Sequence, residues 1–318
     1  MLDLSVVIVN TNTRDLLRDC LTSIRQGTHG IQYEIIAVDN NSADSSAQMV
    51  RDQFPDAKLI CNDRNLGFAI SNNRGFAVSS GRYVLALNPD TIVLDNALTL
   101  MVQFMDRHPE AGACGCRLLN RDGSLQPSWA NFPTLLSEIL PKTAVNKIVP
   151  SGNRLQSQAV YDVDWVGGAC LMVRRETMEQ VGVFDERFSP IYSEETDWCY
   201  RIKQRGWRIY YLPQPEIVHL SGQTTERKRI WFAVQLQRSK YLFFRKHKGI
   251  AYANLYRILK GAICLGKWIT CCLKLFLVGT SKAQLLETIE EEQQKLMFFI
   301  RPNAPAPQLR ESELCDQS

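Results

Sequence analysis

Four short apolar runs punctuate the first ninety residues: Leu4 to Val9, Tyr33 to Val38, Ala57 to Cys61 and Tyr83 to Leu87. Each is too short for a helix of its own, and the unbroken apolar character suits a strand buried on both faces. Between them the pattern turns helical. Leu16, Leu17, Cys20, Leu21 and Ile24 share one helical face, Asp44 to Phe54 suits a second helix, and Asn72 to Ser79 starts a third. Strands alternating with helices predict right-handed βαβ units and a Rossmann-like, mostly parallel α/β sheet flanked by helices. In such sheets ligands bind beyond the carboxyl ends of the strands. Asp39 and Asp90 fall just past two of those ends.

At 318 residues, with 45% hydrophobic and 22% charged side chains, the chain can build a core of ordinary size. No repeat is visible, which excludes solenoid, collagen and coiled-coil classes. Ten cysteines include no CxxC pair and no zinc spacing, which predicts reduced thiols rather than a metal or disulfide framework. The opening MLDLSVVIVN carries Asp3 and no basic stretch, so it does not read as a signal peptide. Arg117 to Asp164 reads as loop-rich, Arg208 to Leu212 as a strand, and the proline-containing tail 301–318 as disordered.

Several polar clusters carry two readings each. Asp39, followed by Asn40, Asn41 and Ser42, suits a helix cap or an acceptor for a pyrimidine imide and ribose hydroxyls. Asn88-Pro89-Asp90 suits an Asx turn, or a carboxylate holding a hard divalent cation. Glu194, Glu195 and Asp197 crowd three carboxylates into four positions, as the acidic start of a helix or as a general base raised toward neutrality. His219 reads as a core histidine or a metal ligand. Gly167-Gly168-Ala169 reads as a packing turn or a cleft wall.

The ordered set is more specific than any member. VVIVNTN, VDNNS, Asn65-Leu66-Gly67-Phe68-Ala69 with Asn72 and Arg74, Leu87 to Asp90, Gly167 to Ala169, Val183 to Phe188, Glu194 to Cys199 and Val218 to Gly222 follow in order. Over residues 4 to 224 this resembles the family 2 glycosyltransferases of GT-A fold, and within them the bacterial rhamnosyltransferases of surface polysaccharide synthesis. The resemblance implies that Thr11, Asn12, Asp39 and Asn41 line a nucleoside pocket, with Asn65, Gly67, Arg74 and Asn88 along the ribose and diphosphate. It makes Asp90 the surviving acid of the metal-binding DxD, with Asn88 in the first position and His219 completing an Mg²⁺ or Mn²⁺ site. Gly167, Gly168 and Ala169 would border the donor sugar and acceptor. Glu195 would be the catalytic base where aspartate is usual, with Glu194 as the fallback and Asp197 beside them. The implied donor is a dTDP- or UDP-linked sugar, with rhamnose as the suggested sugar, and the implied acceptor is a lipid-linked saccharide.

Charge is uneven. From Thr225 to Lys282 thirteen lysines and arginines face Glu226 alone, a net +12, so with +4 overall the remainder carries −8. Lys260, Lys267 and Lys274 recur every seven residues, within about 40° on a helix. Apolar gain and lysine cost nearly cancel for a membrane span, so the segment is expected to lie in the interface of an anionic membrane with these lysines toward the lipid, the alternative being a soluble helix packed on the catalytic domain. The expected organisation is a GT-A catalytic domain at 1–224, a basic helical membrane-associating region at 225–300 and the tail, at the cytoplasmic face of the plasma membrane. Two competing classes stand beside it. A nucleotidyltransferase would show a glycine-rich phosphate loop, and NTNTRD has none. A non-catalytic membrane- or nucleic-acid-binding module would use the basic segment, but the aromatic motifs of RNA readers are missing, and no nucleic-acid partner is expected.

Overall fold

The computed structural model describes residues 2–140, 158–220, 229–277 and 282–301. They fall into two compact units, residues 2–132 with 158–220, and residues 133–140 with 229–301. The expected tail, apart from Arg301, and the Ser221-Gly222 end of the last motif lie outside the described residues.

The first unit begins β1 (Leu4–Asn10), α1 (Arg14–Gly27), β2 (Tyr33–Asp39), α2 (Ser46–Gln53), β3 (Lys58–Cys61), α3 (Phe68–Ala77) and β4 (Tyr83–Leu87). Its four strands pair in parallel in the order β3-β2-β1-β4. All seven residues of β1 are buried. Leu4, Val6 and Ile8 face a core with Leu17, Leu21 and Ile24, whereas Val7 and Val9 face a second core with Phe76, Phe184 and Trp198. Burial on both faces is why the run shows no alternation. The third helix starts at Phe68 rather than near Asn72, because the turn at Gly67 leads directly into it. A side chain at Gly75 of that helix would run into Val7, so α3 lies close on β1.

The sheet then changes direction. β5 (Thr91–Val93) and α4 (Ala97–Arg107) lead to β6 (Ala111–Leu119), and the short β7 (Leu125–Gln126) pairs back on it. β8 (Trp129–Ala130) pairs with β10 (Trp165–Val166), and β9 (Tyr161–Asp162) with β12 (Arg208–His219). β11 (Cys170–Arg174) inserts antiparallel between β4 and β6. It is followed by α6 (Arg175–Val181), a 3₁₀ turn at Glu186–Phe188 and α7 (Glu194–Gln204). The segment expected to be loop thus supplies β6 to Leu119 and three two-residue strands. Register sets the site: Asn10 is level with Asp39, Asp39 with Cys61, Cys170 with Leu87 and His219 with Thr91.

The second unit comprises α5 (Leu135–Ile139), α8 (Arg229–His247), α9 (Ile250–Leu277) and α10 (Lys282–Ile300). Residues 133–140, expected within the catalytic domain, belong here. Leu135 N–H donates to the Tyr252 hydroxyl at 3.0 Å, and Glu138 takes Lys240 at 2.7 Å. Lys260 Nζ donates to the Glu138 carbonyl at 2.6 Å, so it is packed inside this unit and does not belong to a lipid-facing row. Its partner lies 122 residues away in sequence, beyond the reach of a periodicity argument. Among the described residues no helix is long and apolar enough to cross a membrane.

Candidate active site

Two loops at the ends of β1 and β2 are laced together. Ser42 Oγ accepts from the Asn12 N–H at 2.9 Å, and Asn12 Oδ1 accepts from the Ala43 N–H at 2.7 Å. Asn12 is buried and Asn41 exposed, both with positive φ, and Thr11 is half-buried. Asp39 is buried and accepts from the Ser42 N–H at 3.0 Å. It therefore caps its own loop and not the following helix, whose start is held by Asp44 bonded to the Ser46 N–H at 3.0 Å.

Asn40 is the junction of this cradle. Its Oδ1 accepts from Asn62 Nδ2 at 3.1 Å, Leu66 N–H at 2.9 Å and Ser71 Oγ at 3.1 Å, and its Nδ2 donates to Asn65 Oδ1 at 2.7 Å. The same Asn65 oxygen takes the Gly67 N–H at 2.9 Å. Gly67 has φ +80°, and a Cβ there would meet Pro190 O at 2.7 Å, so neither the angle nor the space admits a side chain. Arg74 reaches the rim through Nη1 to Asn62 Oδ1 at 2.6 Å.

A second corner forms where β12 meets the turn after β4. The Thr91 hydroxyl closes the turn on the Asn88 carbonyl at 2.8 Å, and Leu220 N–H donates to Asp90 O at 2.9 Å. His219 Nδ1 lies 2.6 Å from Gln126 Oε1. Gln126 Nε2 donates to Asn120 Oδ1 at 2.9 Å, so its oxygen faces the ring and the ring proton sits on Nδ1. Nε2 then offers its lone pair, 3.3 Å from Asp90 Oδ1 and 3.3 Å from the Asn88 amide. Two acceptors at that separation fit a hard divalent cation that draws its other ligands from phosphate oxygens. Among the described residues no three His, Cys, Asp or Glu side chains form such a group, so the chain alone would supply a sparse ligand set.

The third group lies at the start of α7, so the acidic cluster is a helix first turn and a carboxylate site together. Glu194 is buried, and its Oε2 has no hydrogen-bond partner among the described residues. Burial, and then the charge of Glu195, push its carboxyl well above the usual range. Burial likewise pushes Glu195 up to about 7. Asp197, fully buried, is ion-paired with Arg201 at 2.9 Å, and Arg201 also holds the Val183 carbonyl at 2.7 Å. A Cβ on Gly168 would lie 3.6 Å from the Phe68 ring and 4.0 Å from the Glu195 Cβ, so bare backbone lies against the base of the Glu195 side chain. Gly167 N–H is held by Ser128 O at 2.8 Å, and Ala169 O takes the Asn88 N–H at 3.1 Å, which joins this wall to the second corner.

The expected residues thus gather into three neighbouring groups on one end of the sheet. Sequence reasoning assigned no role to Asn40, Asn62 or Gln126. Asn40 stood inside a visible polar run, whereas Gln126 sits in a stretch with no period and carried no signal.

Known proteins resemble this chain in sequence and in fold. The sequence profile of glycosyl transferase family 2 matches residues 5–181. An N-acetylglucosaminyl-diphospho-decaprenol L-rhamnosyltransferase of Mycobacterium tuberculosis is 28% identical over 282 residues, covering 82% of this chain and 91% of its own. Rhamnosyltransferase WbbL of Escherichia coli is 25% identical, covering 67% of this chain and 82% of its own. The solved structure of a mannosyltransferase from Pyrobaculum calidifontis, in complex with GDP-Man and Mn²⁺, superposes with TM-score 0.57 at 15% identity, covering 94% and 89%. At that identity the likeness concerns the fold, which is GT-A.

Proposed function

Since the chain belongs to glycosyl transferase family 2 and is therefore a glycosyltransferase, we propose that it transfers rhamnose, with inversion, from a dTDP- or UDP-linked donor to a lipid-linked saccharide. Rhamnosyl transfer and a lipid-linked acceptor are supported by the two rhamnosyltransferases it resembles, one of them named for a diphosphodecaprenol substrate. The observation that carries the mechanism is Glu195, a carboxyl pushed up to about 7 beside the bare backbone of Gly168.

As the carboxylate, Glu195 accepts the proton of an acceptor hydroxyl. The oxygen forms its bond to the anomeric carbon as the bond to the diphosphate breaks on the opposite side. Glu194 is the buried neighbour whose own carboxyl is raised by burial and then by the charge of Glu195, and Asp197 anchors the helix through Arg201. Asp39, with Thr11, Asn12 and Asn41, forms the nucleoside end; Asn65, Gly67 and Arg74 follow the ribose and diphosphate. Asp90 and His219, with Asn88, would hold Mg²⁺ or Mn²⁺, which when bound neutralises charge on the leaving diphosphate. Gly167 to Ala169 form the wall for the transferred sugar and acceptor. An acceptor embedded in a bilayer calls for a chain that works at the membrane face, as a peripheral protein of the cytoplasmic side.

Release of nucleoside diphosphate is measured with dTDP- and UDP-sugars, Mg²⁺ or Mn²⁺ and a polyprenyl-linked acceptor. Turnover is expected with dTDP- or UDP-rhamnose, reduced about 10²–10⁴-fold in kcat by Glu195→Gln with donor binding kept. Turnover with another sugar alone overturns rhamnose; absence of donor binding overturns the nucleotide reading.

A further inference from the structure

Among the described residues of the second unit an apolar stripe is exposed. On α9, Leu255, Ile258, Leu265, Ile269 and Leu273 are all exposed, Ile258 most of all at 62%. At 100° per residue they fall within about 80° of one another, along about 27 Å of helix. Met297 and Ile300 at the end of α10 are exposed too, and Ile300 lines the same groove as Ile258. That groove, about 400 Å³, is walled by Ile258, Leu265, Leu296 and Phe299 with Arg257 at its edge. Large exposed side chains aligned this way mark a docking surface.

Charge identifies the occupant. Across α8 and α9, from Arg229 to Leu277, ten lysines and arginines stand with no aspartate or glutamate. Glu138 takes up Lys240 and Lys260, and Arg229 pairs with Glu287, while Arg245, Lys267 and Lys274 are exposed. An anionic bilayer answers both features, with the field drawing the unit in and the stripe entering the acyl boundary.

We propose that the Leu255–Leu273 stripe of α9, with Met297 and Ile300 of α10, is the surface that seats this chain on an anionic membrane. The inference rests on the lipid-linked acceptor proposed above and names the face that meets the lipid. It differs from the lysine row expected in the sequence: Lys267 lies about 180° from Ile258, on the opposite side of the helix.

The test is sedimentation of the full chain with vesicles of phosphatidylcholine alone or mixed with phosphatidylglycerol. Wild type is expected to sediment with the mixed vesicles and to lose about tenfold or more in affinity in Ile258→Glu/Leu265→Glu. Both side chains are exposed, so unfolding temperature should hold, and Leu273→Glu gives an independent second reading. Nucleoside diphosphate release on a short-chain, detergent-dispersed acceptor should be equal in wild type and double variant. Activity on that acceptor without vesicle binding, or binding indifferent to the substitutions, overturns the docking surface and leaves the transferase reading standing. A wild-type dimer that the double variant dissociates, seen by light scattering, also overturns it. Vesicle binding lost in the variants, with no turnover in either protein, supports the surface and counts against the substrate reading alone.

Discussion

The proposed donor cradle and the proposed base edge lie on the same end of one sheet, and both are built on carboxylates beside short polar residues. Their bonding is opposite. In the cradle, Ser42 joins Asn12 to Asp39, and Asn40 is bonded to Asn62, Asn65, Leu66 and Ser71, so hydrogen-bonding capacity is taken up within the loops. At the edge, Glu194 carries an oxygen with no partner among the described residues, and Glu195 is held near neutrality by burial. Binding a fixed ligand rewards a lattice assembled beforehand, since nothing has to be ordered when the ligand arrives. Proton transfer needs the reverse, a carboxyl whose charge has not already been compensated.

If the cradle is such a lattice, removing its junction should have the largest effect on the fold. Asn40→Leu removes the acceptor shared by the Asn62 amide, the Leu66 N–H and the Ser71 hydroxyl at a site that is 2% exposed. The expected cost is about 3–4 kcal/mol by denaturant unfolding, with donor KM raised far more than kcat is lowered. Asn40→Ala leaves room for water and should cost less. Unchanged stability in both variants would break the contrast, since the polar network would then be incidental to the fold.

The base edge makes the opposite prediction, that a substitution stabilises. A carboxyl with folded pKa about 7, against an ordinary 4.5, favours the folded state while protonated. That advantage declines as pH rises from about 4.5 and is gone above about 7, where folding must carry a buried charge. Glu195→Gln keeps the shape without the charge. It should match wild type near pH 4.5 and exceed it by about 1–3 kcal/mol at pH 8, measured by urea unfolding at both values. The wild-type kcat should rise with pH through the same window. Equal stability at pH 8 would show that Glu195 is solvated and ordinary.

The two regions also differ in how far the sequence disclosed them. The parallel half was legible because strands buried on both faces leave uninterrupted apolar runs, and ligand residues sit where those runs stop. Asp39, Asp90 and Glu195 could be singled out on that basis together with the family resemblance. What stayed hidden depends on partners remote in the chain. Asp197 looks equivalent to Glu194 and Glu195 in a string, yet Arg201 one turn later takes it out of the acid pair. Lys260 fits a lysine row until Glu138, from another segment, claims it. Helix periodicity fixes which residues share a face, but not what covers that face.

Gln126 is the smallest and sharpest test, because it belongs to neither region and orients only one ring. It lies 93 residues from His219 in sequence, and its two side-chain atoms have separate tasks. The amide nitrogen binds Asn120, which turns the oxygen to His219 Nδ1 and leaves Nε2 facing Asp90. Gln126→Leu keeps the bulk and removes the acceptor, so the ring is no longer fixed in one tautomer. Loss of an orienting partner of this kind typically weakens metal binding about 10-fold or more. The Mn²⁺ concentration for half-maximal activity should rise about 10-fold, with donor KM at saturating Mn²⁺ and unfolding temperature both near wild type. Gln126→Glu keeps an acceptor at the same position and should restore most of the loss. If Gln126→Leu instead lowers kcat at saturating metal and leaves the Mn²⁺ requirement unchanged, His219 acts on the reacting groups, and the corner belongs with the base edge rather than with the diphosphate.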